Sequence, residues 1–230
     1  MSTPNVVAIE ARGLYHIYRG PELETIALRG ADLALERGTW TSVMGPSGSG
    51  KTTLLHVMAG LLEPSGGSVM IDAQDITRLP PPERAARRRR QIGVVMQRDN
   101  LHPLLDAAGN IALPLRLDGR SRREADARAD ELLQAVGLGK RARSRPGQLS
   151  GGEAQRVAVA VALAPGPKVL LADEPTGELD EDTTAGLLDL LEALCTRDGT
   201  ALMTVTHNPQ VAERAHRRAT MRDGEVVDVG

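Results

Sequence analysis

The sequence predicts an α/β fold with a mostly parallel β-sheet, helices on its faces and a helical segment inserted between two of its strands. Short apolar segments typical of strands alternate with helical segments, an order that favours a parallel sheet. A Gly/Ser-rich loop at residues 45–53 joins a strand-like segment to a helix, and residues from about 98 to 163 contain helical patterns without a strand-like segment. Because 230 residues suit one large domain, we expect a single domain over residues 1–230 with a helical subdomain at about 98–163.

Four short apolar runs predict the strands of the first half of the chain, at residues 6–9, 33–35, 40–44 and 69–71. The loop at residues 45–53 opens a helix that we expect to reach about residue 62. Three prolines at residues 80–82 then break the chain before a short arginine-rich helix and a strand at residues 92–96.

The second half of the chain begins with a charged amphipathic helix at residues 122–136. One side of this helix carries Ala125, Ala129, Leu132, Leu133 and Val136. Strands return at residues 169–172 and 202–206, with a helix from about 182 to 195 between them. Two final segments at residues 219–222 and 225–229 flank Asp223-Gly224, a dipeptide that favours a hairpin turn.

Composition excludes several kinds of protein. The formal net charge is −2, so the chain has no overall positive field, and we predict no nucleic-acid partner. Cys195 is the only cysteine, which excludes an internal disulfide and suits a reducing cytosol. We expect no signal peptide, and no stretch approaches the ~20 apolar residues of a membrane span. The arginine run at residues 87–90 is interpreted as the solvated face of a helix; a basic patch for membrane or nucleic acid is the alternative.

A glycine-rich segment predicts a phosphate-binding loop with the pattern G-x-x-x-x-G-K-[ST]. In this pattern backbone N–H groups converge on phosphate oxygens, the lysine reaches the β- and γ-phosphates, and the hydroxyl ligates Mg²⁺. The helix that follows presents its free N–H groups and positive dipole end to the same anion. A flexible turn is the alternative, but the strand before the loop and the helix after it favour nucleotide binding. The residues are Gly45, Pro46, Ser47, Gly48, Ser49, Gly50, Lys51 and Thr52.

Two carboxylates, Asp173 and Glu174, follow the apolar segment at residues 169–172. The carboxyl end of a parallel strand is where ligands bind in open α/β sheets. An acid in this position can hold Mg²⁺ through water, which is the role that we predict for Asp173. Glu174 is a candidate to polarise a water for in-line attack on the γ-phosphate. An ordinary solvated strand end is the alternative, which the phosphate loop in the same chain disfavours.

A second helix start lies at residues 149–156, where Ser150 and Glu153 form the pattern of a capping box. Capping does not explain Gly151 and Gly152, which are poor helix formers in a first turn. Two glycines at a helix N-terminus make a second cradle of phosphate size. A single ATP could use both helix starts only if two chains faced each other.

Together these segments resemble the ATP-binding-cassette (ABC) ATPases in order and spacing, over essentially the whole chain. Residues 45–52 resemble the Walker A motif, residues 149–153 the family signature, and Asp173 and Glu174 the Walker B acid and catalytic glutamate. The resemblance adds further candidates. They are Gln97 as the Q-loop glutamine, Asp180 in the D-loop, His207 as the switch histidine and Tyr18 as the aromatic that stacks on adenine, with nearby Tyr15 as the alternative.

The resemblance implies a P-loop NTPase core with an N-terminal antiparallel β region, working as a head-to-tail homodimer that sandwiches two Mg²⁺–ATP. It implies that Glu174 is the general base and that His207 steadies the γ-phosphate. It also implies that the metal ligands are Thr52, Gln97 and Asp173. The remaining contacts with ATP are assigned to Ser49, Gly50, Lys51, Thr52 and Thr53 of one chain and to Ser150, Gly151, Gly152 and Asp180 of the other.

Residues 45–51, 110–115 and 174–180 are most similar to one branch of the family, the ATPases of macrolide-exporter, lipoprotein-release and cell-division complexes. The resemblance therefore implies a subunit on the inner face of the cell membrane that drives a separate integral membrane permease, docked around residues 97–105. A soluble ABC ATPase of DNA repair or translation is the alternative, although the chain has no room for long coiled coils or a second cassette. A P-loop nucleotide kinase would have no use for the signature.

Overall fold

A computed structural model describes residues 6–20, 24–177 and 179–230. Among them no helix has the length and apolar content that a bilayer span requires. The elements follow one another as β1 (Val7–Arg19), β2 (Glu24–Glu36), β3 (Trp40–Met44), α1 (Lys51–Met58), β4 (Gly66–Ile71), β5 (Gln74–Asp75), α2 (Pro81–Gln91), β6 (Ile92–Val95), α3 (Ala107–Leu117), α4 (Arg122–Ala135), α5 (Gly151–Leu163), β7 (Val169–Asp173), α6 (Glu181–Asp198), β8 (Ala201–Val205), α7 (Pro209–Arg214), β9 (Arg217–Arg222) and β10 (Glu225–Val229).

The described strands form two sheets. An antiparallel sheet has the order β2-β1-β4-β5, and a six-stranded sheet has the order β10-β9-β3-β8-β7-β6. Every neighbouring pair in the larger sheet is parallel except the closing hairpin of β9 and β10. These sheets confirm the predicted α/β class, with a mostly parallel core and an antiparallel region near the N-terminus.

The six-stranded sheet separates two apolar cores, because alternate residues of a strand point to opposite faces. On β7, Val169 and Leu171 pack toward α1 and the antiparallel sheet. Leu170 and Ala172 face the other way and pack with residues of α3, α4, α5 and α6. Trp40 of β3 is fully buried in this second core, where its Nε1 donates a hydrogen bond to Thr204 Oγ1 at 2.9 Å.

The segment between β6 and β7 is helical. All of residues 98–163 are described, and they form α3, α4, α5 and two short 3-10 turns without a strand. Helix α3 was not predicted from the sequence, because Pro114 inside it has no N–H for the helix ladder. The burial of Ile111, Ala112 and Leu115 on one side of α3 offsets that loss.

Several element bounds differ from the prediction for physical reasons. The first two strands are much longer than residues 6–9 and 33–35, because bulges interrupt their alternating pattern. One register shift lies between Ala11 and Leu14, where Gly13 adopts a φ of 53°. Helix α1 ends at Met58 and not near residue 62, since Gly60 takes a left-handed φ of 65° just beyond it.

Candidate functional site

Four segments meet at one edge of the six-stranded sheet. β3, β6, β7 and β8 are parallel, and the register pairs Val43 with Val205, Asp173 with Val205, and Val95 with Ala172. Strands that share a direction end at the same edge. The phosphate loop after β3 therefore meets the segments that follow β6, β7 and β8.

These segments line a cleft of about 520 Å³. Most of the candidate residues lie on its wall, namely Tyr18, Gly45, Ser47, Gly48, Gly50, Lys51, Thr52, Thr53, Gln97, Asp173, Glu174 and His207. Sequence reasoning missed four other lining residues: Thr25, Ile26 and Ala27 of β2, and Val205 at the end of β8. No motif marks them, and they reach the cleft only through the way the strands pair.

The phosphate loop packs closely against both sheets. A Cβ added at Gly45 would lie 2.1 Å from the carbonyl oxygen of Met221 in β9. A Cβ at Gly50 would lie 2.3 Å from the carbonyl oxygen of Ala27 in β2, and Gly50 has a φ of 98° that side chains rarely adopt. These two glycines are therefore required by the packing of the loop, in addition to any approach of phosphate.

Lys51 lies over the loop that precedes it. Its Nζ donates hydrogen bonds to the carbonyl oxygens of Gly45 at 2.9 Å and Pro46 at 2.8 Å. Pro46 and Ser49 are not among the residues that line the cleft. Ser49 is buried, and its carbonyl oxygen accepts a hydrogen bond from the N–H of Gly224 at 3.1 Å.

Asp173 and Thr52 face each other in the cleft. Asp173 is 5% exposed, and burial raises the pKa of its carboxyl, although a hydrogen bond with the Thr52 side chain acts in the opposite direction. Gln97 lines the same cleft. A hydroxyl, a carboxylate and an amide oxygen are the oxygen donors that Mg²⁺ prefers, and a cation would compensate the buried carboxylate. The residues present therefore fit a magnesium ion.

The Glu174 carboxylate is held by residues that follow β8. Its Oε1 accepts a hydrogen bond from the backbone N–H of His207 at 3.0 Å and lies 2.7 Å from His207 Nδ1. Its Oε2 accepts a hydrogen bond from Thr206 Oγ1 at 3.3 Å. Glu174 also adopts a left-handed φ of 45°, which turns the chain sharply after the strand. The carboxylate is thus fixed in orientation at the edge of the cleft.

The structure separates the two neighbouring tyrosines. Tyr18 lines the cleft with 45% of its surface exposed, and its hydroxyl lies 3.3 Å from Thr53 Oγ1. The ring of His16 packs edge-on against it, with 4.6 Å between centroids. Tyr15 instead packs along Gly30 and Gly66 of the antiparallel sheet. Tyr18 is therefore the tyrosine whose ring can meet a base bound in the cleft.

The signature and D-loop residues lie apart from the cleft. Ser150 caps α5: its Oγ accepts from the N–H of Glu153 at 3.2 Å, and Glu153 Oε2 accepts from the N–H of Ser150 at 2.9 Å. Asp180 caps α6 in a similar way. In the described part of the chain, Ser150, Gly151, Gly152 and Asp180 do not join the residues that line the cleft.

Comparisons with known proteins agree on one family. The model of the ABC transporter family matches residues 28–177. "Lipoprotein-releasing system ATP-binding protein LolD 2" of Caulobacter vibrioides is 44% identical over 227 residues, which are 98% of each chain. "Lipoprotein-releasing system ATP-binding protein LolD" of Hyphomonas neptunium is 42% identical over 221 residues, which are 96% of each chain.

Two solved structures share the fold, and each match covers 96% of this chain and 97% of the other. One is a dimer of the ATP-binding cassette MJ0796 in a post-hydrolysis state with ADP and Pi, at a TM-score of 0.90 and 38% identity. The other is a dimer of MJ0796, described as a bacterial ABC transporter cassette, at a TM-score of 0.90 and 40% identity. Because the family match, the relatives and the cassette structures cover most of the sequence, the chain belongs to the ABC transporter family and is an ATP-binding, ATP-hydrolysing subunit.

Proposed function

We propose that this ATPase works as a homodimer that encloses two Mg²⁺–ATP and drives a separate integral membrane permease. The observation that carries the proposal is the separation of two anion-binding surfaces within one chain. The cleft holds the phosphate loop, whereas the glycine-rich start of α5 lies apart from it. Two chains placed head to tail would bring one surface of each to the same triphosphate. The dimeric MJ0796 cassettes support this arrangement.

Within each site, the phosphates would bind to the backbone N–H groups of the loop and to Lys51. Lys51 Nζ now donates to two carbonyl oxygens, and a phosphate oxygen would accept those hydrogen bonds in their place. Ser47, Gly48 and Gly50 line the cleft beside it and contribute backbone donors. The Tyr18 ring would stack on the adenine at the other end of the nucleotide.

Mg²⁺, when bound, would neutralise charge that develops on the β- and γ-phosphates. We assign Thr52 and Gln97 as its direct ligands and Asp173 as a ligand through water. The carboxylate and hydroxyl that already contact each other in the cleft support this assignment, as does the burial of Asp173, whose negative charge a cation would compensate.

Glu174 would act as the general base of hydrolysis. The oxygen of a water attacks the γ-phosphorus while Glu174 accepts the proton of that water. The bond between the γ-phosphorus and the bridging oxygen breaks, which yields ADP and phosphate. The backbone N–H of His207 and the hydroxyl of Thr206 hold the carboxylate in place for this step. The side chain of His207 would steady the γ-phosphate and the attacking water.

Residues 98–163 would form a helical subdomain within a single domain of residues 1–230, and this subdomain would present the signature to the second chain. The permease would dock around residues 97–105. Leu104 in this loop is 75% exposed and would offer an apolar side chain to a partner. Buried Asn110 keeps the loop ordered, because its Nδ2 donates to the carbonyl oxygens of His102, Leu105 and Asp106.

The names of the two curated relatives favour a transporter over a soluble ABC ATPase of repair or translation. We therefore propose that the chain lies at the inner face of the cell membrane and powers the release of lipoproteins. Membrane co-purification with a permease would test the location. Loss of lipoprotein release on depletion of the chain would test the cargo.

The sandwich itself is tested with Glu174→Gln, which keeps the shape of the side chain but removes the basic carboxylate. We expect this variant to lose turnover, to keep its ATP affinity and to shift from monomer to dimer when Mg²⁺–ATP is added. Light scattering after size exclusion, with and without ATP, measures the shift. Hydrolysis at the parental rate would exclude Glu174 as the base, and an inactive variant that stays monomeric at high concentration would exclude a dimer formed without the permease.

A further inference from the structure

We propose that Thr183, which belongs to none of the motifs above, is a positioning residue that holds the signature and the D-loop of one chain in a fixed relation. The inference rests on the proposed homodimer, in which the signature and the D-loop of one chain contact the nucleotide bound to the second chain. Two contacts of the Thr183 side chain carry it, one made by the hydroxyl and the other by the methyl group.

The hydroxyl contact is with Asp180, the residue that caps α6. Asp180 Oδ1 accepts a hydrogen bond from the backbone N–H of Thr183 at 2.8 Å. Asp180 Oδ2 accepts a second one from Thr183 Oγ1, also at 2.8 Å. Capping needs the backbone hydrogen bond alone. The hydroxyl adds a second anchor, so that both carboxylate oxygens are held and the rotation of the Asp180 side chain is restricted.

The methyl contact is with Gly152 in the first turn of α5. A Cβ added at Gly152 would lie 2.3 Å from Thr183 Cγ2, so the main chain of the signature rests directly on this methyl group. A side chain at this position would displace the Thr183 side chain or push α5 and α6 apart. The contact gives Gly152 a packing role that is independent of phosphate binding. It also explains why a poor helix former occupies a first turn that is otherwise well capped.

One side chain therefore joins the starts of two helices. Its hydroxyl orients Asp180, and its methyl group sets the distance of the signature from α6. Thr183 is separate from the residues that line the nucleotide cleft in the described part of the chain. Loss of its hydroxyl should accordingly leave ATP binding in the same chain intact and impair the closed dimer and its hydrolysis.

Two substitutions separate the contacts. Thr183→Val keeps a branched, methyl-bearing side chain against Gly152 but removes the hydroxyl, whereas Thr183→Ser keeps the hydroxyl. We expect Thr183→Val to lower kcat about tenfold, the size of one hydrogen bond to a carboxylate, with ATP affinity of the monomer unchanged. Thr183→Ser keeps the bond to Asp180 but loses the methyl contact with Gly152, so we expect a smaller loss of kcat than in Thr183→Val, about twofold. The matched control is Thr196→Val near the other end of α6, where the hydroxyl donates to the carbonyl oxygens of Glu192 and Ala193 in the same helix. Turnover of this variant should not change.

Thr183→Val combined with Glu174→Gln measures the effect on dimer formation separately from hydrolysis. We expect Thr183→Val to raise about tenfold the protein concentration needed for the ATP-dependent dimer, in keeping with the loss of kcat. A merely structural role would lower the melting temperature of both Thr183 variants without separating valine from serine in kcat. Parental kcat and dimerisation in Thr183→Val, or an equal loss in Thr183→Ser, would overturn the inference while the homodimer stands. If Glu174→Gln itself stays monomeric with Mg²⁺–ATP, the homodimer is overturned, and this inference with it.

Discussion

Ser150 offers the sharpest test of the shared site, because the chain contains a matched control for its structural role. Ser121 caps α4 as Ser150 caps α5, and both serines form a capping box with a glutamate three residues on. Ser150 Oγ accepts from the N–H of Glu153 at 3.2 Å, and Ser121 Oγ accepts from the N–H of Glu124 at 3.3 Å. The reciprocal bonds from serine N–H to glutamate Oε2 are 2.9 Å and 3.0 Å.

The structural effects of Ser150→Ala and Ser121→Ala should therefore be nearly equal. Each serine is exposed and accepts one capping hydrogen bond, so each substitution should lower the free energy of unfolding by about 1 kcal/mol. Ser121 Oγ also donates to Glu124 Oε2 at 2.7 Å, an exposed bond that should make the structural cost of Ser121→Ala at least as large as that of Ser150→Ala. For a chain of this size, that loss lowers the melting temperature by roughly 2–4 °C. Both variants should remain folded and bind ATP in the cleft, from which both serines are separate.

The functional effects should differ. If the Ser150 hydroxyl completes the nucleotide site of the second chain, its loss removes one donor to the γ-phosphate. Removal of one such donor lowers turnover by about a hundredfold in other enzymes. Ser121→Ala should hydrolyse ATP at the parental rate. Phosphate release, nucleotide titration and thermal unfolding, measured on both variants under the same conditions, give the comparison.

Equal turnover in the two variants would refute the assignment, since Ser150 would then only cap a helix. A collapse of ATP affinity in Ser150→Ala, measured on the monomer, would also refute it. In that case the hydroxyl would act on the nucleotide of its own chain.

Two further predictions concern binding and stability. Tyr18→Ala should weaken ATP binding by about 0.5–1.5 kcal/mol with little change in kcat, whereas Tyr15→Ala should not weaken it. Calorimetric titration measures both affinities. A loss of affinity in Tyr15→Ala but not in Tyr18→Ala would show that Tyr15 contacts the adenine. The Asp72 carboxylate accepts hydrogen bonds from Lys168 and Arg37. These contacts, of which the Lys168 hydrogen bond has the larger effect, lower the pKa of the carboxyl below its ordinary value of 3.8. The stabilisation is therefore present above that pH and lost as pH falls through the lower folded value. Asp72→Asn should lower the free energy of unfolding by about 1 kcal/mol at pH 7, and a difference from the parent that persists undiminished at pH 3 in urea titrations would contradict this account.

Much of the chemistry could be predicted from the sequence, because the groups involved are close together along the chain. The phosphate loop, the capping box of Ser150 and the pair Asp173-Glu174 are local patterns whose function follows from residue type and spacing. The α/β class could also be predicted from the sequence, because the alternation of strands and helices is a property of the linear sequence. The family resemblance supplied Gln97, Asp180 and His207, which have no distinctive local pattern of their own.

Other features required the folded chain. The family resemblance favoured Tyr18 but left Tyr15 as the alternative, and the pairing of β1 with β2 and β4 places Tyr18 on the wall of the cleft. The long strands β1 and β2 were underestimated, because bulges shift the side-chain alternation that reveals a strand. Helix α3 was missed, because burial of its apolar side outweighs the proline within it.

The sequence by itself predicted the reaction and most of the residues that line the cleft. The tertiary structure decided how those residues are held, because the deciding contacts join atoms that are distant along the chain. The carbonyl oxygens of Met221 and Ala27 exclude any side chain at Gly45 and Gly50, and a side chain at Gly152 would collide with the methyl group of Thr183. A linear pattern shows that a glycine is present. Whether a phosphate, a neighbouring strand or another helix requires it depends on packing that exists only after the strands have paired and the helices have docked.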